Sequence, residues 1–336
     1  MQIRPVDVHD DAQCARAHEV VNAASSFERP HWALSSLPEH VAEWRHEDPA
    51  ERHELWGAWR GEEMAGVALM WLPVTDNTAM TWVDVNVEPR RRRQGIGSAL
   101  MDHLVARARE QARTTILAGA AYPVERLEDH PYRRFLEKNG FTLGNLEVAR
   151  RLRLPLDEGF LTGLADEARA RYVGRYRLET HLDGVPKELQ GSLCAVMNQL
   201  GVDAPTGEIE FEEESLTPER YRDYLDLERR QGRTRLTTVG VHMDSGDVVA
   251  YTDLILPSGS ETHAWQWGTM VHREHRGHRL GLAVKVENLR RLQSEHPGRV
   301  DVQTGNAASN QWMLAINERL GFEVLELYPE FQRKLS

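Results

Sequence analysis

The chain has 336 residues, enough for two domains with a core each, and its 41 Lys and Arg against 52 Asp and Glu give a net charge of −11. That acidity makes nucleic acid an unexpected partner, and a hydrophobic share of 40% excludes long disorder. Cys14 and Cys194 are the two cysteines, which excludes a disulfide framework and a cysteine-rich zinc site. No apolar run approaches the ~20 residues that span a bilayer, and the stretch 67–73 is far too short. The N-terminus MQIRPVDVHDD is charged where a secretion signal needs an apolar core. A soluble cytoplasmic protein, monomer or homodimer, is expected.

Residues 53–60 and 64–72 are predicted as strands around the turn Arg60-Gly61-Glu62, and 80–87 as a third strand. From Gly97 to about Arg113 the apolar residues Leu100, Leu104 and Ala108 recur at helical spacing. The segment 156–172 follows Pro155, holds Gly159 and Gly163 and is rich in charge, so it is predicted as a linker between domains 1–155 and 173–336. Next comes the acidic run Glu208, Glu210, Glu212, Glu213 and Glu214, a solvated edge or a lure for a polyamine. Strands 235–242 and 247–256 flank Asp244-Ser245-Gly246, strand 262–271 follows, and a helix runs from Leu282 to about Gln293. Both halves therefore belong to the α/β (α+β) class.

One stretch occurs twice. Val85–Gly97 (VNVEPRRRRQGIG) has a counterpart in Thr269–Gly281 (TMVHREHRGHRLG), and Glu137–Phe141 has one in Glu318–Phe322. Each copy of the first motif joins a strand to a helix. Glycine there lets backbone amides approach a ligand, and a helix N-terminus already carries unpaired donors and partial positive charge. Arg90–Arg93 reverse the sign of an acidic chain at the same place, which points to phosphate. The third glycine of a dinucleotide fingerprint and the GK[ST] of a P-loop are both missing.

VxVxPxxRxxGxG, a helix, a strand and a second helix ending before GF resemble the GCN5-related N-acetyltransferase (GNAT) superfamily, here as two tandem copies. The second copy, with DAPTG (Asp203–Gly207) and HRGHRLG, is also similar to the C-terminal half of tandem members, and mycothiol synthase is a more distant relative. The resemblance implies a mixed, mostly antiparallel sheet in each copy, with a strand splayed at a β-bulge and flanking helices. It implies that acetyl-CoA is held by Arg92, Arg93, Gln94, Gly95, Ile96, Gly97 and Ser98 with Val85 and Val87. In the second copy the corresponding residues are Arg276, Gly277, His278, Arg279, Leu280, Gly281 and Leu282 with Thr269 and Val271. Arg279 stands where a glycine belongs, at the expense of backbone freedom. Asn306 and Asn310 match asparagines that contact the pantetheine arm, and they make the second copy the expected chemical site.

The family's acid and base positions hold Leu136 and Asn317, and Thr81 and Trp265, so the usual groups are absent. Asn317, Asp253 and His263 remain as catalytic candidates: Asp253 is a carboxylate in an apolar strand and His263 opens the next one. Both also have plain structural readings. Asp203 would hold a substrate ammonium or cap a turn; Trp265 and Trp267 would wall an apolar or cationic acceptor or pack the core. His272, His275 and His278, spaced by three, suit phosphate better than metal, and no metal is expected. The expected function is direct transfer of an acetyl group from acetyl-CoA to a primary amine of a small molecule. Its rivals are a peptide or protein amine as acceptor, or a non-catalytic acyl-CoA-binding, regulatory module.

Overall fold

The computed structural model describes residues 1–212 and 215–335, so Glu213 and Glu214 of the acidic run lie outside the described residues. The chain forms two compact units. One comprises Met1–Glu147, Thr206–Glu210 and Glu326–Ser336, the other Val148–Pro205 and Phe211–Leu325.

The first unit begins with β1 (Gln2–Pro5), α1 (Asp11–Ser25), α2 (Leu37–Trp44), β2 (Glu51–Arg60), β3 (Glu63–Pro73) and β4 (Met80–Val87). It continues with α3 (Ile96–Glu110), β5 (Thr115–Gly119), α4 (Pro131–Lys138) and β6 (Thr142–Arg153), the last as far as Glu147. Strands β1 to β4 pair in sequence and antiparallel, with β2 and β3 joined at Gly61. β5 pairs parallel to β4, because α3 carries the chain back across the sheet. Leu100, Met101, Leu104, Val105 and Ala108 of α3 bury one stripe against Ala68, Met70 and Leu72 of β3. Each such leucine contributes about 1.5–3 kcal/mol. On the other face of β3, Val67 and Leu69 meet Cys14, Ala17 and Val20 of α1.

The second unit holds α5 (Glu158–Tyr172), β7 (Tyr176–Leu182), α6 (Lys187–Asp203), α7 (Pro218–Arg230), β8 (Thr234–His242) and β9 (Val248–Leu256). After these come β10 (His263–Val271), α8 (Leu280–Glu295), β11 (Asp301–Ala307) and α9 (Gln311–Leu320), then the start of β12 (Glu323–Lys334). β7, β8, β9 and β10 pair antiparallel, and β10 pairs parallel to β11. This is the mixed, mostly antiparallel sheet with flanking helices expected for each copy.

Two features differ from the sequence-based expectation. The segment expected as a linker carries α5, whose Asp157 cap accepts from the Phe160 amide at 2.8 Å and whose Leu161, Leu164 and Ala168 are buried. Gly159, Gly163 and many charges hide that stripe in the sequence. The last strand of the chain, from Glu326, completes the first unit instead of the second: Glu330–Lys334 pair antiparallel with Gly119–Thr115, and Phe331 sits in the core under α3. Strand pairing is a long-range interaction that no local pattern specifies.

Candidate active site

In the first unit β4 and β5 pair only over Met80–Val83 and Thr115–Ala118. Beyond that point β4 runs on to Val87 while β5 ends at Gly119, and the strands part. Val85 and Val87 turn their side chains onto the α3 core. The β3–β4 register is continuous, so no bulge accompanies this splay.

The turn that follows contains two left-handed residues, Arg93 (φ 63°) and Gly95 (φ 81°), before α3 starts at Ile96. Gly95 caps the helix with no side-chain hydrogen bond, so the first amides of α3 are unclaimed by a cap. Ile96 is buried, and a Cβ on Gly97 would stand 3.4 Å from Phe135 of α4 and 3.7 Å from Val87. Gln94 accepts from Arg60 at 2.7 Å, and Ser98 is half-buried on the first turn of α3. Arg92 is structural: its guanidinium lies 4.4 Å from the Phe27 ring and donates to the Tyr132 hydroxyl at 2.8 Å. Arg91 is bound to Glu63 and Glu88. Arg90 and Arg93 stay exposed, with no ion pair or hydrogen bond among the described residues.

The second unit repeats the plan with exchanged parts. β10 and β11 pair over 263–265 and 301–303 and then separate, and here a register shift between Gln266 and Thr269 marks a bulge. Buried Gln266 secures it by donating to the Asp253 carbonyl (2.6 Å) and the Thr252 hydroxyl (2.9 Å), while Thr252 meets the Thr269 hydroxyl at 2.7 Å. The left-handed residues of the loop are Gly277 (φ 85°) and Arg279 (φ 56°). Arg279 therefore adopts the backbone conformation that the sequence suggested it would lose, under local strain. Gly281 packs between Ile316 and Val271, with Leu280 and Leu282 buried. The arginines, however, are engaged. Arg273 and Arg276 bind Asp203, Arg279 binds Glu167 at 2.6 Å, and His278 lies 3.4 Å from Arg175. The hydrogen bonds from Arg273 and Arg276 hold Asp203 below the usual carboxylate range, as a counter-ion to the loop.

Other expected site residues are integrated into the second unit's framework. Asp253, 3% exposed, pairs with Arg235 at 2.6 Å and accepts from Thr237, while Arg235 also grips Glu228 with two hydrogen bonds. Burial raises the Asp253 carboxyl even against Arg235. His263 is buried on Asp301, and Trp265 meets its ring edge-on at 4.5 Å. Trp267 is 45% exposed, 5.2 Å from the Arg235 guanidinium. Asn310 caps α9. Asn317 is fully buried: it accepts from Lys285 at 2.8 Å and donates to Asn306 at 2.6 Å. Lys285, 1% exposed with no carboxylate partner among the described residues, is brought down to about 7 by burial.

The first unit also gathers groups that sequence reasoning missed. The Tyr328 ring of β12 lies against the Gly119 backbone at the end of β5, where a Cβ would fall 2.8 Å from its hydroxyl. Burial of its hydroxyl end, and after it the carboxylates Asp84, Glu330 and Glu147, raise the pKa of that phenol against a lowering effect of Arg29, although the residue as a whole is 41% exposed. Asp84 is raised by burial and tied to Asn86 at 2.8 Å; Glu330 accepts from Asn145 at 2.8 Å. Burial, and secondarily Glu330, lift Glu147 to about 7. Glu326 is taken by buried Arg29 and by His31 at 3.2 Å. Asp84, a carboxylate inside MTWVDVNV, was the one available signal; β12 sits too far along the chain to be connected with it. These groups can receive a cation beside the splay and accept its proton.

The comparisons agree with this architecture. Residues 17–141 match the model of the acetyltransferase (GNAT) family. A tandem GNAT protein from the clavulanic acid biosynthesis pathway, solved without AcCoA, superposes with a TM-score of 0.79 at 24% identity, covering 99% of this chain and 98% of that one. A GCN5-related N-acetyltransferase from Sphaerobacter thermophilus gives 0.60 at 17% identity, over 99% and 95%. One from Anabaena variabilis gives 0.56 at 11%, over 100% and 73%. No curated protein sequence matches the chain. No helix among the described residues is long and apolar enough to cross a membrane.

Proposed function

We propose acetyl transfer from acetyl-CoA to the primary amine of a cationic small molecule, carried out in the first unit, on the basis that residues 17–141 match the acetyltransferase (GNAT) family and the whole chain shares the fold of a tandem GNAT protein. The observation that carries the choice of unit is the state of the two loops. Arg90 and Arg93 are exposed beside an uncapped helix N-terminus, whereas the corresponding loop of the second unit has its arginines paired with Asp203 and Glu167.

When bound, acetyl-CoA supplies a thioester whose acyl group passes directly to nitrogen. The amides of Ile96, Gly97 and Ser98 bind its phosphates, with Arg90 and Arg93 adding charge. The free edge of β4 from Asp84 to Val87 offers backbone donors and acceptors to the extended arm. Asp84 and Glu330 hold the cationic acceptor. Glu147, poised near neutrality, takes a proton from the bound ammonium, and the free amine so formed attacks the thioester carbonyl. Tyr328 stays protonated and donates a hydrogen bond toward the departing sulfur.

Calorimetric titration with acetyl-CoA, paired with thiol release over a panel of diamines and monoamines, tests this reading. One equivalent bound, thiol released fastest with diamines, and both lost in Gly97→Leu but kept in Gly281→Leu is the expected result. Binding without thiol release from any amine would instead identify an acyl-CoA-binding module, and no binding would remove the reading altogether.

A further inference from the structure

The loop of the second unit whose arginines are ion-paired also gathers imidazoles. His272, Glu274 and His275 each present one ligand atom, all within 4.8 Å of one another, and among the described residues this is the one group of three His, Cys, Asp or Glu so placed. The rings of His272 and His242, the latter from the end of β8, lie 5.6 Å and 5.2 Å from that of His275. Tyr176, buried at the head of β7, places its hydroxyl 3.0 Å from Nδ1 of His275 and so restrains that ring. The turn is held in shape by the His275 amide donating to the His272 carbonyl at 2.9 Å. Arg273 and Arg276, which would repel a cation, share Asp203 as a counter-ion, which offsets one of their two charges and draws both guanidinium groups toward it.

We propose that His272, Glu274 and His275 form a binding site for a divalent ion of the zinc class, separate from the acyl-transfer chemistry of the first unit. Two imidazoles and a carboxylate are a donor set that suits Zn²⁺, with a fourth position left for solvent. Ligand atoms about 2.1 Å from one zinc stand roughly 3.4 Å apart in a tetrahedron, so the side chains need close by only about an ångström. Glu274 is exposed and the two histidines half-buried, which leaves them free to do so. The Tyr176–His275 contact is the kind of outer hydrogen bond that orients a metal-bound imidazole. An ion there clamps the turn ahead of α8 through three side chains, so the stability of this unit follows the metal.

The test is calorimetric titration of zinc chloride into the untagged, chelator-treated full-length chain, with cobalt absorption as a second readout. The expected result is one equivalent of zinc, the visible bands of tetrahedral cobalt, and a rise in melting temperature with the metal. His275→Ala and Glu274→Gln weaken binding at least tenfold and abolish that rise, whereas His278→Ala, whose ring is occupied with Arg175, leaves both unchanged. Glu274→Gln alters one exposed, isosteric side chain, so its effect is not a failure to fold. Absence of binding, or equal zinc affinity in wild type and in the combined Glu274→Gln, His275→Ala variant, overturns the proposal: any zinc retained would sit on other histidines.

Discussion

Arg279 stands ahead of α8 where Gly95 stands ahead of α3, and both are left-handed, at φ 56° and 81°. Two residues earlier the identities are reversed, Gly277 against Arg93, again with both left-handed. Each loop thus has the same backbone shape and supplies glycine at a different one of its two strained positions. An L-residue costs on the order of 1 kcal/mol more there than glycine. Gly95→Ala and Gly277→Ala should each lower stability by about 1 kcal/mol, whereas Gly97→Ala, with an added Cβ in ordinary contact, should stay within about 0.5 kcal/mol. Denaturant melts of the three variants check this.

Arg93 and Arg276 should behave differently toward acetyl-CoA. Arg93→Ala removes a free charge and should weaken binding by about tenfold at low salt, less as salt screens the contact. Arg276→Ala only exposes Asp203 and should leave the affinity unchanged. Titrations at two ionic strengths decide.

Glu147 links the first unit to pH. Its folded carboxyl is raised from the ordinary 4.5 to about 7, so the folded state holds this proton more tightly than the unfolded chain. The stabilisation is complete below about 4.5, shrinks as pH rises, and is gone above about 7. Glu147→Gln should flatten that slope in a series of melts. In thiol-release assays the same substitution should lower kcat and remove the limb of the pH profile near 7.

Lys285 gives the second unit the opposite pH dependence. Its amine falls from 10.5 to about 7 on burial, so between those values the unfolded chain binds more protons and stability rises with pH. That contribution is present above about 10.5 and lost as pH falls toward 7. Lys285→Met, of similar length and without a charge to bury, should be more stable than wild type at pH 7, with the difference shrinking as pH rises and vanishing only above about 10.5.

Arg235 pairs with two buried carboxylates at once, Asp253 and Glu228. Arg235→Met should cost about 3–5 kcal/mol, because both negative charges are then left in the interior. Asp253→Asn separates scaffold from chemistry. A loss of stability with unchanged thiol release per folded molecule fits the ion-pair role, while a loss of rate at intact stability would restore Asp253 as a base.

What was legible in the sequence was local. Strand alternation, the apolar stripe of α3 and the doubled loop between strand and helix all depend on neighbours within a few residues, and each has its counterpart in the fold. The same reading missed α5, because Gly159, Gly163 and surface charge masked its short stripe of Leu161, Leu164 and Ala168. It also took Asp203 for a possible substrate anchor, and only folding brought Arg273 and Arg276 to that carboxylate.

The sequence by itself determined two α/β units, each with a glycine-containing loop between a strand and a helix, since turn residues and amphipathic period are set by adjacent residues; that Arg93 and Arg279 are left-handed there came only with the structure. Only the tertiary structure decided which carboxylates meet which arginines, and that Tyr328 and Glu330 belong beside Gly119. Strand pairing and charge pairing join residues far apart in the chain, and their partners are chosen by the burial and hydrogen bonding of the whole sheet rather than by any stretch of it.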